Sequence, residues 1–340
     1  MSPVERVERV LSGRWPDRAP LSFWHHFGPD QVAGEAAVTA HLAHLEAFDL
    51  DFLKIMNDNG YPHAGPVERV ADLASLTELR GDEGEFGRQL ELIAALKRRL
   101  RGRVLMTTTV FNAWSTLRHI VRPPREHKPP NLAPDDEVSG QLLSFLAQDE
   151  ETLRRAIRVA AASLANFARR CLDAGADGIF LSVRDDWLER AGTYRARYAD
   201  LVRPADLQIL DGAARGRFNM LHVCGTPVHF RDFADYPVHV LNWADRSAGP
   251  SIADVRDWVK PAICAGLDNL RTLPEGTPRD CEREMADALH QASDRPILIA
   301  PGCTYDPERV PRANLLAVCR AVRASAGAAS QMTHTQGRCG

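Results

Sequence analysis

The chain has 340 residues, of which 44% are hydrophobic and 26% are charged, and it carries a formal net charge of -3. This composition is typical of a globular protein with a large core and excludes a chain that is disordered throughout. The small net charge provides no basic field for nucleic acid, and no apolar run reaches the roughly 18 to 20 residues that span a bilayer, so we expect neither partner.

Apolar runs of strand length recur along the chain behind an N-terminal helical stretch at residues 4–13. Eight such runs are predicted strands: residues 19–24, 51–56, 104–108, 178–182, 218–222, 238–242, 262–265 and 297–300. Amphipathic stretches with helical periodicity separate most of them. Strands that alternate with helices favour a (β/α)8 TIM barrel of α/β class, with an N-terminal helical extension.

Three further expectations concern the organisation of the chain. No linker or internal repeat divides it, so we expect residues 1–323 to form a single domain. Five prolines in residues 122–136 predict a long loop near the mouth of the barrel, either a lid or a surface excursion. Small and polar residues dominate the segment 324–340, which we expect to be disordered.

The cysteines indicate a reducing compartment. Their number, seven, is odd, and their scatter does not resemble a secreted disulfide framework. Because the N-terminus also lacks a signal peptide, we expect a cytoplasmic protein. Cysteines within predicted helices or strands are interpreted as small core residues, namely Cys171, Cys264, Cys281 and Cys319.

The strongest chemical signal is the pair His222 and Cys224 at the end of the fifth predicted strand. Side chains at i and i+2 of a strand point to the same side, so the imidazole and the thiol can converge; the alternative is a core histidine beside a buried cysteine. Cys303 follows the eighth predicted strand. The carboxyl ends of all barrel strands share one face, where active sites lie, so these three residues predict a metal site.

One imidazole and two thiolates favour zinc, and three protein ligands leave the fourth position open, as in catalytic zinc sites. Two thiolates weaken the power of the metal to acidify water but suit a bound thiol. A free thiol with a pKa of about 8.5 is mostly protonated at neutral pH, whereas zinc favours the thiolate. We therefore predict a small-molecule thiol substrate that is activated for alkyl transfer.

Several segments together carry a family signature. They are residues 7–13, 16–20, 174–179 and 265–268, the His-Val-Cys-Gly sequence at 222–225, and the Pro-Gly-Cys sequence at 301–303. They resemble the uroporphyrinogen decarboxylase superfamily, and within it the zinc-containing, corrinoid-dependent methyltransferases. The resemblance implies His222, Cys224 and Cys303 as zinc ligands, methylcobalamin on a separate corrinoid protein as a partner in methyl transfer, and a homodimer.

The first predicted strand departs from true uroporphyrinogen decarboxylases. Those enzymes carry an arginine-rich stretch that binds substrate carboxylates, where this chain has Ser-Phe-Trp-His-His-Phe at 22–27. The missing arginines disfavour porphyrinogen decarboxylation. We expect His25 and His26 to contact the substrate or to tune the metal, the alternative being packing or surface histidines of a loop.

Three polar residues that follow predicted strands are candidate catalytic groups that position the substrate: Asp58, Asn112 and Asp245. Asp245 is in addition a candidate hydrogen-bond partner of His222. The alternatives are turn chemistry for Asp58, a packed loop for Asn112 and an ordinary loop ion pair for Asp245.

Two other residues are candidate substrate contacts. Trp114 would form an aromatic wall of the pocket, and Asp185 or its neighbour Asp186 would accept a proton or bind a cation. The alternatives are a packed loop for Trp114 and solvated loop charges for the two acids.

The sequence thus predicts a zinc-dependent transferase that moves a methyl or other small alkyl group to or from a thiol. The first alternative is a decarboxylase-type lyase that acts on a non-porphyrin substrate. The second is a zinc-binding protein without catalytic activity.

Overall fold

The structure, a computed structural model, describes residues 1–121, 136–185 and 197–325, and for residues 136–140 the backbone alone. Most of the predicted loop 122–136 and of the predicted tail 324–340 lies outside the described residues, and so does Asp186. None of the described helices is long and apolar enough to cross a membrane.

Seven parallel strands form one sheet whose spatial order follows the chain. They are β1 (Phe52–Ile55), β2 (Leu105–Phe111), β3 (Gly178–Arg184), β4 (Met220–Cys224), β5 (Val240–Trp243), β6 (Ala262–Leu267) and β7 (Ile297–Pro301). Each lies on a predicted strand, because continuous apolar runs are typical of strands covered on both faces.

Helices precede and connect the strands. They are α1 (Pro3–Leu11), α2 (Gly34–Phe48), α3 (Gly84–Leu100), α4 (Ala113–Val121), α5 (Asp136–Gln148), α6 (Glu150–Asp173), α7 (Arg203–Gly212), α8 (Ile252–Val255), α9 (Thr272–Glu275), α10 (Pro278–Ala292) and α11 (Arg312–Ala324). Short 3-10 turns lie at Pro29–Gln31, Val70–Ser75 and Phe230–Asp232, and a π-helical turn at Tyr198–Val202 precedes α7.

The segment predicted as the first strand closes the sheet into a barrel. Leu21 forms an isolated parallel bridge with Ile299 of β7. On the other side its carbonyl accepts a hydrogen bond of 2.9 Å from the Asp51 N–H, directly before β1. Pro20 has no N–H to donate, so the segment forms a bridge rather than a full strand. The predicted (β/α)8 barrel is confirmed, with seven regular strands and this short closing segment.

The barrel interior is apolar at its amino-terminal end. Its buried cluster includes Phe52, Leu105, Phe180, Phe218, Met220, Val240, Cys264 and Leu298. Helix α1 covers this end of the barrel and adds Val7 and Val10 to the same cluster. Ser2 and Glu5 form a capping box that begins α1. The carboxyl-terminal end of the strands, the barrel mouth, is where a barrel of this type places its active site.

Candidate functional site

His222, Cys224 and Cys303 converge at the barrel mouth. Their ligand atoms all lie within 4.8 Å of one another, and within the described residues they are the group of His, Cys, Asp and Glu side chains that could hold a metal ion. The Cys303 Sγ lies 3.4 Å from the His222 Nε2. A nitrogen and a sulfur on one tetrahedral zinc ion would be about 3.6 Å apart. The three side chains therefore fit a single ion.

A glycine allows Cys303 to reach the site. Gly302 follows β7, and a Cβ atom added to it would lie 2.5 Å from the Ala244 Cα. No side chain fits at this approach of two backbones. The Gly302 N–H also donates a hydrogen bond of 3.0 Å to the Leu267 carbonyl, which fixes the backbone directly before Cys303.

Asn242 of β5 orients the ring of His222. The two residues are paired in the β4–β5 register, and the His222 Nδ1 lies 2.7 Å from the Asn242 Oδ1. The Asn242 Nδ2 donates to the carbonyls of Cys264 and Pro301 at 2.7 and 3.2 Å. Those two acceptors fix the amide orientation, so the Oδ1 must accept from Nδ1–H of His222. The Nε2 lone pair then points at the cysteines.

The expected contact between Asp245 and His222 is not present, because Asn242 occupies that place. Asp245 instead accepts a hydrogen bond of 3.0 Å from the Gly266 N–H and lies 3.2 Å from the Arg246 Nε. Burial raises the pKa of Asp245 to about 6, although Arg246 opposes the shift. Its contacts are those of a buried carboxylate that joins the ends of β5 and β6.

Cys224 has a cationic neighbour, and Asp185 holds the chain that follows it. The Arg184 Nη1 lies 3.9 Å from the Cys224 Sγ, close enough for an N–H···S hydrogen bond. The Asp185 N–H donates to the Cys224 carbonyl at 2.8 Å. Its buried carboxylate accepts from the N–H of His229. These contacts hold the loop after β4 in place. This role differs from the substrate contact that was predicted for Asp185.

The two histidines of the closing segment differ in surroundings. The half-buried His25 ring packs among Phe27, His44 and Tyr305, and its burial lowers its pKa. The exposed His26 makes a hydrogen bond of 2.6 Å through Nδ1 to the Asp58 Oδ1. His26 and Asp58 therefore join the closing segment to the loop after β1 at the rim of the barrel.

Asn112 and Trp114 lie elsewhere than predicted. Helix α4 begins directly after β2, and the Asn112 Oδ1 accepts a hydrogen bond of 2.9 Å from the Ser115 N–H, as a helix cap does. Trp114 is 0% exposed and belongs to the core between the helices and the barrel. Neither position supports a role in contacting substrate.

Two residues of the site were missed from the sequence. Asn242 could have been found from its place at the end of a predicted strand next to that of His222. Lys54 of β1 is buried inside the barrel, where its Nζ lies 4.6 Å from the centre of the Phe180 ring. A lysine within the apolar run 51–56 was the available signal, since unpaired lysines are almost never fully buried.

Comparison with known proteins agrees with this fold. A model of the uroporphyrinogen decarboxylase (URO-D) family matches residues 18–325. A methyltransferase from Methanosarcina mazei superposes with a TM-score of 0.73 and 16% identity, over 94% of this chain and 98% of that chain. A B12-independent methionine synthase from Shewanella sp. W3-18-1, in complex with selenomethionine, superposes with a TM-score of 0.55 and 11% identity, over 92% of this chain and 95% of that chain. No curated protein matches the sequence significantly.

Proposed function

The chain belongs to the uroporphyrinogen decarboxylase family, and we propose that within it the protein is a zinc-dependent methyltransferase that acts on a thiol. The observation that carries this proposal is the convergence of His222, Cys224 and Cys303 within 4.8 Å at the barrel mouth. Soft sulfur donors and one imidazole are the ligands that zinc prefers, and three of them leave one position for a substrate.

The first role of the chain is to hold the metal in a fixed geometry. Asn242 keeps the Nε2 of His222 directed at the two sulfurs. Two thiolates neutralise a divalent cation, and the Arg184 Nη1 lies 3.9 Å from one of the two sulfurs, the Cys224 Sγ. When bound, zinc keeps a substrate thiol deprotonated near neutral pH, which is the state in which sulfur is nucleophilic.

The transfer step is a displacement at carbon. The substrate thiol loses its proton to solvent on binding, and its sulfur then forms a bond to the methyl carbon. The bond between that carbon and the donor breaks, and the donor keeps the electron pair.

The donor is proposed as either methylcobalamin on a corrinoid protein or a methylated small molecule. The sequence resemblance to corrinoid-dependent methyltransferases supports the first. The second is supported by a methionine synthase of the same fold that is described as B12-independent. A small alkyl group other than methyl would follow the same displacement.

Two measurements test this function together. Protein purified without chelator should contain about one equivalent of zinc, and Cys303→Ala should lose it. Methylcobalamin mixed with the enzyme and a panel of small thiols should lose its methyl group, with a change in its visible spectrum. If the protein contains less than half an equivalent of zinc, and Cys303→Ala does not change that content, the zinc site is excluded. Bound zinc without transfer from methylcobalamin or any other methyl donor tried would favour the lyase or the non-catalytic alternative.

A further inference from the structure

A buried ammonium group faces the interior of the barrel from β1. Lys54 is 4% exposed. Its Nζ lies 3.1 Å from the Met56 Sδ, 4.6 Å from the centre of the Phe180 ring and 5.7 Å from that of Trp24. A thioether and two aromatic faces carry no formal negative charge. Within the described residues, Nζ thus has no direct anionic partner. Burying an unpaired charge in this way costs stability.

Two buried hydroxyl groups next to Lys54 lack hydrogen-bond partners among the described residues. Thr107 is paired with Lys54 in the β1–β2 register, and Thr109 lies two residues farther toward the mouth on the same face of β2. Thr107 is 0% and Thr109 3% exposed, yet neither Oγ1 has a hydrogen-bond partner in the described part of the chain. Buried hydroxyls are almost always hydrogen-bonded, so this pair requires an explanation.

The group formed by Lys54, Thr107 and Thr109 lies close to the metal-binding residues. The Phe180 ring stacks on His222 with their centres 5.3 Å apart, and Nζ is 4.6 Å from the same ring. Nζ is therefore no more than about 10 Å from the imidazole centre. Burial lowers the pKa of Lys54 to about 8, opposed by the negative charges of Cys303 and Asp58, so the ammonium form prevails at neutral pH.

We propose that Lys54, Thr107 and Thr109 bind a negatively charged oxygen group of the substrate, such as a carboxylate. The substrate would then be a small anionic thiol, with its sulfur at His222, Cys224 and Cys303 and its oxyanion at this group. An ammonium and two hydroxyl donors are the complement that an oxyanion requires. This inference rests on the proposed function, since it assumes that the thiol occupies the metal.

A matched pair of thiols tests the inference by binding alone. 3-Mercaptopropionate and 3-mercapto-1-propanol have chains of equal length and differ in the terminal charge. By titration calorimetry on the zinc-loaded protein, we expect the carboxylate to bind on the order of 10- to 100-fold more tightly. Lys54→Met should remove this preference and leave the affinity for the alcohol within about twofold. Exposed Lys260, changed to Met, is the matched control and should keep the full preference.

Every outcome of this titration decides the inference. Equal affinity of the wild type for both thiols would overturn it while leaving thiol binding at the metal intact. An equal loss for both thiols in Lys54→Met would overturn it as well, because Lys54 would then act on the metal-bound thiolate. Failure of both thiols to bind would contradict the proposed function itself. If Lys54→Met does not fold, the double variant Thr107→Val/Thr109→Val retains the charge and should reduce the preference at least threefold; no reduction would exclude the hydroxyls.

Discussion

The two sides of the barrel interior differ in how fully their buried polar groups are hydrogen-bonded. On the side of β4 to β7, His222 and Asn242 use every nitrogen and oxygen that does not face the cysteines, through hydrogen bonds of 2.7 to 3.2 Å. On the side of β1 and β2, Lys54 contacts a thioether and ring faces, and the hydroxyls of Thr107 and Thr109 have no partner among the described residues. The first side is preorganised for an ion, whereas the second retains groups that a ligand could satisfy.

The largest expected effect is the loss of a metal ligand. Cys303→Ala removes one of three protein ligands, so we expect zinc affinity to fall by more than about 100-fold, beyond the range typical of outer-shell changes. The measurement is a competition titration with a zinc chelator of known affinity. Cys281→Ala is the matched control, because this buried cysteine of α10 donates to the Thr272 carbonyl and should leave zinc affinity unchanged. Equal affinity of Cys303→Ala and the wild type would remove Cys303 from the metal site.

The second prediction concerns the residue that orients His222. Asn242→Ala frees the imidazole ring and its tautomer, and we expect zinc affinity to fall by about 10- to 100-fold. Asn219 is a matched control, since it is also a buried asparagine, directly before β4, and its Oδ1 accepts a hydrogen bond from the Ile179 N–H. Asn219→Ala should lower the stability without changing zinc affinity. A similar loss of zinc affinity in both variants would show that Asn242 acts only through stability.

The third prediction sharpens the contrast between the two sides. If Lys54 is retained for a ligand, the ligand-free protein bears the cost of an uncompensated buried charge. Lys54→Met should therefore raise the free energy of unfolding at pH 7, on the order of 1 kcal/mol, in denaturant titrations without thiol. A clear loss of stability would instead assign Lys54 a structural role.

The same residue predicts a pH dependence with a definite sign. Its pKa of about 8 in the folded protein lies below that of an unperturbed lysine, so between about pH 8 and 10 the unfolded chain binds more protons. The contribution of Lys54 to stability must rise with pH through this window. The stability advantage of Lys54→Met over the wild type should accordingly shrink from pH 7 to pH 10. A difference that does not change with pH would mean that Lys54 titrates normally.

The sequence could predict the features that depend on local alternation. The strands follow from apolar runs, and the placement of His222 and Cys224 on one side follows from the two-residue repeat of β4. The strand-end position of Asn242 was visible in the sequence, but its pairing with His222 requires the β4–β5 register, which is a contact between distant segments. Asn112 and Trp114 were misplaced because a single residue, Asn112, separates the end of β2 from the start of α4, which converts a predicted rim loop into a helix cap and a core residue.

The smallest expected effect lies at the rim. Burial has the largest influence on Asp58 and raises its pKa, but the hydrogen bond from His26, together with the positive charges of His26, Lys54 and His41, outweighs it, so the net shift is downward. A carboxylate with a lowered pKa adds stability that is present above its unfolded value and lost as the pH falls through the folded one. Asp58→Asn should cost less than about 1 kcal/mol at pH 7, because His26 is exposed, and this difference should shrink only below about pH 4, as the pH falls through the lowered pKa of Asp58. If the variant keeps its stability but transfers methyl groups about 100-fold more slowly, Asp58 is a catalytic residue, and the functional side of β1 extends to the rim.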